Sequence, residues 1–110
     1  MTNLLNVEEL SRKKGWKVSK IRRYTKEGIF SPVSKDSVNG KSLLYHIGCV
    51  EIKLRLIDEF RLDFTLKELG KRIQKVCGKR NKKLLAMINT TKEDEIIEKL
   101  KEEITAFENS

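Results

Sequence analysis

Five basic side chains are spaced along one short stretch in a pattern that suits binding to a polyanion. They alternate with apolar and hydroxyl residues between positions 17 and 26. Arginine can pair bidentately with phosphate or with the edge of guanine, whereas lysine acts mainly as a point charge. The candidates for such contacts in this stretch are Lys17, Lys20, Arg22, Arg23 and Lys26.

This stretch is predicted to be the second of two short helices joined by a tight turn. Apolar residues recur at three-residue spacing, first at Val7 and Leu10 and then at Val18, Ile21 and Tyr24. Asn6 and Glu9 have the spacing of a capping box, which predicts that the first helix begins at Val7. Gly15 and Gly28 can take the positive φ that the turn and the end of the second helix require. A pair of this kind presents its second helix to a DNA groove.

Three separate blocks of residues follow a pattern known from one family. The blocks are Glu9-Leu10-Ser11 with Gly15, Ile21-Arg22-Arg23-Tyr24 and Gly28-Ile29-Phe30; then Tyr45; then Asp63-Phe64-Thr65-Leu66-Lys67-Glu68-Leu69. Over about residues 4–76, the chain resembles the winged-helix DNA-binding domain of the MerR family of bacterial regulators. The resemblance implies that the second helix reads the major groove of double-stranded DNA. Arg22 has the position of the family's helix-2 arginine, and Arg23 the position where a tyrosine often contacts DNA.

A small β-hairpin is predicted after the second helix. The Asn39-Gly40 pair is a strong hairpin signal between Val33 and the apolar run at 43–45. This hairpin would be the wing, with Lys35 and Lys41 near its tip for contacts to the DNA backbone. At Leu43 the chain departs from the family, which usually has an arginine there, so one expected phosphate contact is missing.

Aromatic residues in the first block are expected to serve the core rather than a ligand. Trp16, at a position where the family has valine, is predicted to fill the angle between the two helices. Tyr24 lies three residues after Ile21 and is predicted to be core as well. Stacking of Trp16 on a sugar or base is the alternative.

Four more helices are predicted beyond the wing. The third follows His46 and covers about 47–61, with Val50, Leu54, Ile57 and Phe60 facing inward. The fourth begins at Leu66, where Thr65 and Glu68 form a capping box, and ends at Gly78. A short apolar helix over 84–88 and a last helix over about 92–107 follow, and Thr90 and Thr91 are expected to cap the last one.

The resulting expectation is a mainly α fold, a winged helix-turn-helix of about four helices with a small hairpin, followed by a C-terminal helix. Residues 1–78 would form the DNA-binding domain, 79–91 a basic linker or short helix, and 92–110 an acidic amphipathic helix. The basic run at 79–83 is most simply a solvated linker, with an extra DNA-backbone contact as the alternative.

The last predicted helix carries an apolar seam with charges elsewhere. Its seam residues alternate three- and four-residue steps, which is the spacing of a short coiled coil. They are Ile97, Leu100, Ile104 and Phe107. The seam could pair with a second chain as a homodimer contact, or it could fold back onto the domain.

Charge is distributed unevenly along the 110 residues. The chain carries a net charge of +8, but residues 92–110 hold three lysines against seven acids, a net of −4. The first 91 residues therefore carry +12. A cationic domain of this kind has the electrostatic footprint of a polyphosphate binder, since each neutralised phosphate releases condensed counterions.

Other classes of function find little support in the residues. We find no phosphate loop, no nucleophile with a base, and no cluster of metal ligands, so neither an enzyme nor a cofactor or metal site is expected. Cys49 and Cys77 are expected to be buried thiols, and His46 is expected to be structural. No apolar run is long enough to span a membrane and no signal-peptide pattern opens the sequence, so a cytoplasmic protein is expected. No small-molecule effector region is evident.

The sequence therefore predicts a sequence-preferring DNA-binding protein, a bacterial, phage or plasmid transcriptional regulator. An excisionase-like or architectural DNA binder fits the same residues. The alternative from another class is a protein-interaction adaptor that docks through its C-terminal helix and has no salt-dependent affinity for DNA. RNA binding is disfavoured because paired aromatic residues for base stacking are lacking.

Overall fold

A computed structural model describes residues 3–35 and 43–106. Helices dominate, and the elements in chain order are β1 Leu4–Leu5, α1 Val7–Lys14, α2 Val18–Lys26, β2 Ser34–Lys35, β3 Leu43–His46, α3 Ile47–Phe60, α4 Leu66–Cys77, a 3-10 turn Lys79–Asn81, α5 Lys82–Thr90 and α6 Glu93–Ala106. The expectation of a mainly α fold with a small antiparallel sheet is confirmed. Within the described ranges, every helix is too short or too polar to cross a membrane.

The small sheet has β3 at its centre. β1 pairs with β3 in antiparallel register, with Leu5 opposite Tyr45. β2 pairs with the other edge of β3, with Ser34 opposite Leu44. The backbone N–H of Val33 donates to the carbonyl of Leu44 over 2.8 Å, so the pairing extends one residue before β2. The predicted hairpin strands are thus present, while its tip at 36–42 lies outside the described residues.

Local capping signals place the helix starts where the sequence predicts them. The Asn6 side chain accepts from the Glu9 backbone N–H at 2.8 Å, and the Glu9 carboxylate accepts from the Asn6 N–H at 3.0 Å. At α4, the Thr65 hydroxyl accepts from the Glu68 N–H at 3.1 Å. These contacts satisfy N–H groups that have no partner inside the helix.

His46 has the structural role expected of it. Its Nδ1 accepts from the backbone N–H of Gly48 at 3.1 Å and of Cys49 at 3.4 Å, so the imidazole caps the start of α3. Partial burial lowers the pKa of His46, because desolvation disfavours the imidazolium form. The neutral ring is also the form that can accept at Nδ1.

One core includes residues from all six helices. Its fully buried members include Leu10 and Ile21 from the first two helices and Leu56 from α3. Cys49 and Cys77 are buried free thiols, as expected. The predicted inward stripe of α3 is incomplete: Val50 and Phe60 are buried, but Leu54 and Ile57 are only partly so. Ile52, Lys53 and Leu56 are buried in addition, because α5 and α6 cover a second side of α3.

The seam of α6 packs inside its own chain. Ile97, Leu100 and Ile104 are at most 2% exposed, and α6 packs against α3 and α4. Of the two alternatives that the sequence left open, folding back is the one observed for these three side chains. Their assignment as a dimer surface is therefore corrected, since burying them in one core removes them from a second copy. Phe107 lies outside the described residues.

The third predicted capping box does not begin α6, because Thr91 is the C-cap of α5. Thr90 is the last residue of α5, and its hydroxyl donates to the Ala86 carbonyl at 3.0 Å, so it does not begin α6. The segment 79–91 is a 3-10 turn followed by a helix whose Leu84 is fully buried. It therefore belongs to the same core as the rest of the chain.

Candidate nucleic-acid interface

The second helix is anchored to the core through one side and to the sheet through another. Ile21 is fully buried. The Thr25 hydroxyl donates to the Ile21 carbonyl at 2.8 Å and lies 2.9 Å from the hydroxyl of Tyr45 on β3. Lys17 precedes the helix and provides no side-chain cap, as predicted. The position of α2 is therefore set by the burial of Ile21 and the hydrogen bonds of Thr25, and not by a side-chain cap at its first turn.

The turn before α2 fixes the angle at which the helix leaves α1. Gly15 has φ 69° and ψ 27°, which is left-handed as predicted. The backbone N–H of Trp16 donates to the Ser11 carbonyl at 3.1 Å, and the Ser11 hydroxyl donates to the Trp16 carbonyl. At the other end of α2, Gly28 also has a positive φ, 88°. Gly15 therefore ends α1, and Gly28 follows the C-cap of α2.

All five basic residues predicted on this stretch are exposed. They are Lys17, Lys20, Arg22, Arg23 and Lys26. No carboxylate among residues 3–35 and 43–106 lies within 4 Å of any of their charged groups. The described ion pairs lie elsewhere, for example between Arg55 and Glu93 and between Lys101 and Glu59. The charge of α2 is therefore available to an external anion.

Two grooves flank α2, and each is lined by one of its two arginines. One groove, of about 330 Å³, is lined by Arg22 and Thr25 of α2, by the first turn of α1, and by Leu43 and Tyr45 of β3. The other, of about 410 Å³, is lined by Lys17, Ser19, Lys20, Arg23 and Tyr24. Adjacent arginines on a helix point about 100° apart, so Arg22 faces the sheet and Arg23 faces away from it.

Aromatic rings restrain Lys20. Its Nζ lies 5.0 Å from the centre of the Trp16 ring and 5.8 Å from that of Tyr24, within the range of cation–π attraction. Trp16 stacks on the buried Phe30 at 6.2 Å, and Tyr24 meets the same ring edge-on at 5.3 Å. Both rings are only partly buried, so each combines a core contact with a surface contact, whereas the sequence favoured a core role for both, with surface stacking as the alternative for Trp16.

The basic surface continues onto α4, which the sequence did not indicate. Lys67 and Lys71 line a groove of about 370 Å³ together with Lys26 of α2. The two helices approach closely at Gly70, where a Cβ atom would overlap the carbonyl oxygen of Glu27. A glycine inside a helix costs about 1 kcal/mol relative to alanine. Its presence in the middle of α4 was the one signal that could have revealed this contact.

The wing residues are only partly described. Lys35 lies in β2, with its Cα paired to that of Leu43. Lys41 lies outside the described residues. Leu43, where the resembling family has arginine, is 36% exposed at the edge of the groove that contains Arg22.

Comparisons with known proteins do not assign this site. The chain matches no family model, no curated protein and no solved structure. The argument for its function therefore depends on the residues and geometry described above.

Proposed function

We propose that this protein binds double-stranded DNA with a preference for particular sequences, as a MerR-like winged helix-turn-helix regulator. In this proposal α1 and α2 form the helix-turn-helix, α2 lies in the major groove, and β2 and β3 form the wing. Arg22 and Arg23 read base edges, while Lys17, Lys20 and Lys26 contact phosphates. Lys35 and Lys41 contact the backbone from the wing.

One observation carries this proposal: the four exposed basic residues of α2, and Lys17 just before it, have no acidic partner in the described part of the chain. Solvated surface lysines and arginines often find a carboxylate nearby, as Arg55 and Lys101 do in this structure. Leaving the whole of α2 unpaired creates a local positive potential, which attracts phosphate and speeds encounter with DNA.

The surroundings of α2 support the same function. Lys67 and Lys71 adjoin Lys26, and Arg61 lines a groove with Arg23. Phosphate contacts on both sides of a recognition helix fix its register on the duplex. The restraint of Lys20 between two rings reduces the side-chain entropy lost when it meets a phosphate.

The proposal does not include a dimer built from the α6 seam, because its described residues are in the core. A regulator without that seam binds a half-site as a monomer, loads cooperatively, or dimerises through another surface. An excisionase-like or architectural role would use the same α2 contacts. The selected DNA sequence distinguishes these cases, since a palindrome requires two-fold symmetry.

The test is selection of duplexes from a random pool, followed by titration of the selected duplex at low and moderate salt. The informative variant is Arg22→Ala with Arg23→Ala. Its matched control is Lys92→Ala with Lys99→Ala, which removes the same charge from exposed positions at α6. We expect the first pair to lose sequence preference and the control to keep it.

Two results would count against the proposal. One is the absence of duplex binding at low salt, which the adaptor alternative predicts. The other is an equal loss of affinity in both double variants, because that would make net charge, rather than α2, responsible. The chain's single tryptophan, Trp16, gives an independent readout: DNA on α2 should change its fluorescence.

A further inference from the structure

The junction between α4 and α5 has an unusual backbone. Three of its four residues have positive φ: Gly78 at 80°, Arg80 at 53° and Asn81 at 59°. For residues other than glycine, the left-handed region costs about 1–2 kcal/mol, with asparagine among the least affected. Arginine has no such tolerance. A strained conformation of this kind persists only when its surroundings impose it.

A buried hydrogen-bonded chain holds this junction in place. Asn81 is 1% exposed, and its Oδ1 accepts from the Nζ of Lys53 at 2.6 Å. Its Nδ2 donates to the Ser31 carbonyl at 3.0 Å. Lys53 lies on α3 and is also 1% exposed. The junction is thus tied both to the middle of α3 and to the segment that leads into β2.

The side chain of Arg80 is not part of this buried chain of hydrogen bonds. Its side chain is exposed, unlike that of Asn81 beside it. It lines a groove of about 560 Å³ with Ser31, Pro32, Ser34 and Leu43. The strained junction therefore places Arg80 in a groove at the base of the β2–β3 pair, which two hydroxyl-bearing residues, Ser31 and Ser34, also line.

This groove adjoins the one that contains Arg22. Leu43 lines both grooves, so Arg22 and Arg80 lie on either side of the same β3 residue. Lys79, Lys82 and Lys83 are exposed around Arg80 and add to the local positive charge. A guanidinium with neighbouring hydroxyls matches the oxygens of a phosphodiester, which accept several hydrogen bonds at once.

We propose that Arg80, Ser31 and Ser34 form a subsite for a backbone phosphate of the duplex that α2 reads. This proposal rests on the proposed function and extends it to a basic run that the sequence explained most simply as a solvated linker, with a DNA-backbone contact as the alternative. Arg80 supplies a charged contact beside Leu43. The Lys53–Asn81–Ser31 chain is the positioning device, because it holds the junction in the conformation that presents Arg80.

The experiment measures affinity for the selected duplex at several salt concentrations in Arg80→Ala and in Lys79→Ala. The lysine variant removes the same charge one residue away and is the matched control. We expect Arg80→Ala to weaken binding about tenfold, as for a lost charged hydrogen bond. The slope of log K against log salt should fall by about 0.9. Lys79→Ala should change both quantities much less.

Arg80→Gly separates binding from folding. Glycine adopts φ 53° without strain, so this variant should melt at the same temperature as the wild type or higher. It should nevertheless lose as much DNA affinity as Arg80→Ala. Arg80→Lys keeps the charge but not the planar fork, and should recover the salt slope more fully than the affinity.

The outcomes distinguish this subsite from the function on which it rests. If the wild type binds DNA and Arg80→Ala behaves like Lys79→Ala, the subsite is wrong and the role of α2 stands. If Arg80→Gly retains full affinity, the side chain makes no contact and the subsite is again wrong. If the wild type binds no duplex at low salt, both proposals fail.

Discussion

Two junctions between helices use left-handed backbone, and they achieve it by different means. Between α1 and α2 a single glycine, Gly15, has φ 69°, and a Cβ atom added there would meet nothing within 4 Å. Between α4 and α5, by contrast, Arg80 and Asn81 are left-handed in succession. The first junction has a residue that adopts its conformation freely, and the second has residues that do not.

The difference indicates what stabilises each junction. At Gly15, residue type and two local hydrogen bonds suffice. At Asn81, the conformation depends on partners from α3 and from the segment before β2. The first junction should therefore respond to substitution only through local conformation, while the second should respond through its buried partners.

The largest expected effect on stability comes from removing Asn81, the buried hydrogen-bond partner of Lys53. Asn81→Ala should lower the free energy of unfolding by about 3 kcal/mol, because the desolvated amine of Lys53 loses its hydrogen bond. Asn81→Gly loses the same bond but adopts φ 59° freely, so it should be less destabilised by about 1 kcal/mol. Urea denaturation of both variants measures the two contributions separately.

Replacing Lys53 tests the same hydrogen bond by removing its donor. In a Lys53→Met background, Asn81→Ala should cost much less, since no buried amine is left unsatisfied. Additive effects of the two substitutions would show that the Lys53–Asn81 bond does not hold the second junction.

A substitution on α4 tests the close approach of that helix to the end of α2. Gly70→Ala should destabilise the protein by about 2 kcal/mol, because the added methyl group pushes α4 away from the Glu27 carbonyl at the end of α2. Helix propensity alone predicts the opposite sign, a gain of about 1 kcal/mol. Thermal melting decides between them, with the exposed Lys75→Ala as the control for propensity. An increase in melting temperature would contradict the close contact.

The buried lysine also makes stability depend on pH. Burial lowers the pKa of Lys53 below the ordinary lysine value of 10.5, since desolvation disfavours the ammonium form. Between the lowered folded value and 10.5, the unfolded state binds more protons, so unfolding free energy should rise with pH. The slope is at most about 1.4 kcal/mol per pH unit. Below the folded value this contribution is flat.

Two neighbouring thiols act in the opposite direction at higher pH. Burial raises the pKa of Cys49 to about 12 and raises that of Cys77. Above pH 9.0, the ordinary pKa of a thiol, the folded state therefore holds protons that the unfolded state releases. The contribution of Lys53 is the difference in unfolding free energy between the wild type and Lys53→Met, measured by urea denaturation at several pH values. A difference that does not grow with pH would contradict the lowered pKa.

Sequence patterns predicted the features that depend on residues close in the chain. The capping pair Asn6 and Glu9, the turn at Gly15 and the exposed basic residues of α2 are all local, and they are as expected. The pattern of Ile97 and Leu100 fits a coiled coil and a buried helix equally well, so only tertiary packing could decide between them.

Other features could not be predicted because they arise between distant segments. Gly70 matters because α4 meets α2, and the strain at Arg80 exists because Asn81 reaches both Lys53 and Ser31. In the sequence, Arg80 is one of several cations in a basic run. Arg80 differs from Lys79 in its positive φ and in its place in the groove beside Leu43.

The smallest expected effect returns to the first junction. Gly15→Ala should cost about 1 kcal/mol, because alanine must adopt φ 69° but meets no steric contact. Gly15→Asn should cost less, since asparagine tolerates this region better than alanine. Arg80→Gly makes the reverse exchange at the second junction and should gain a similar amount. Equal and opposite shifts in urea denaturation would show that backbone preference acts alike at both junctions. A loss of stability in Arg80→Gly would instead show that the arginine side chain itself stabilises the second junction.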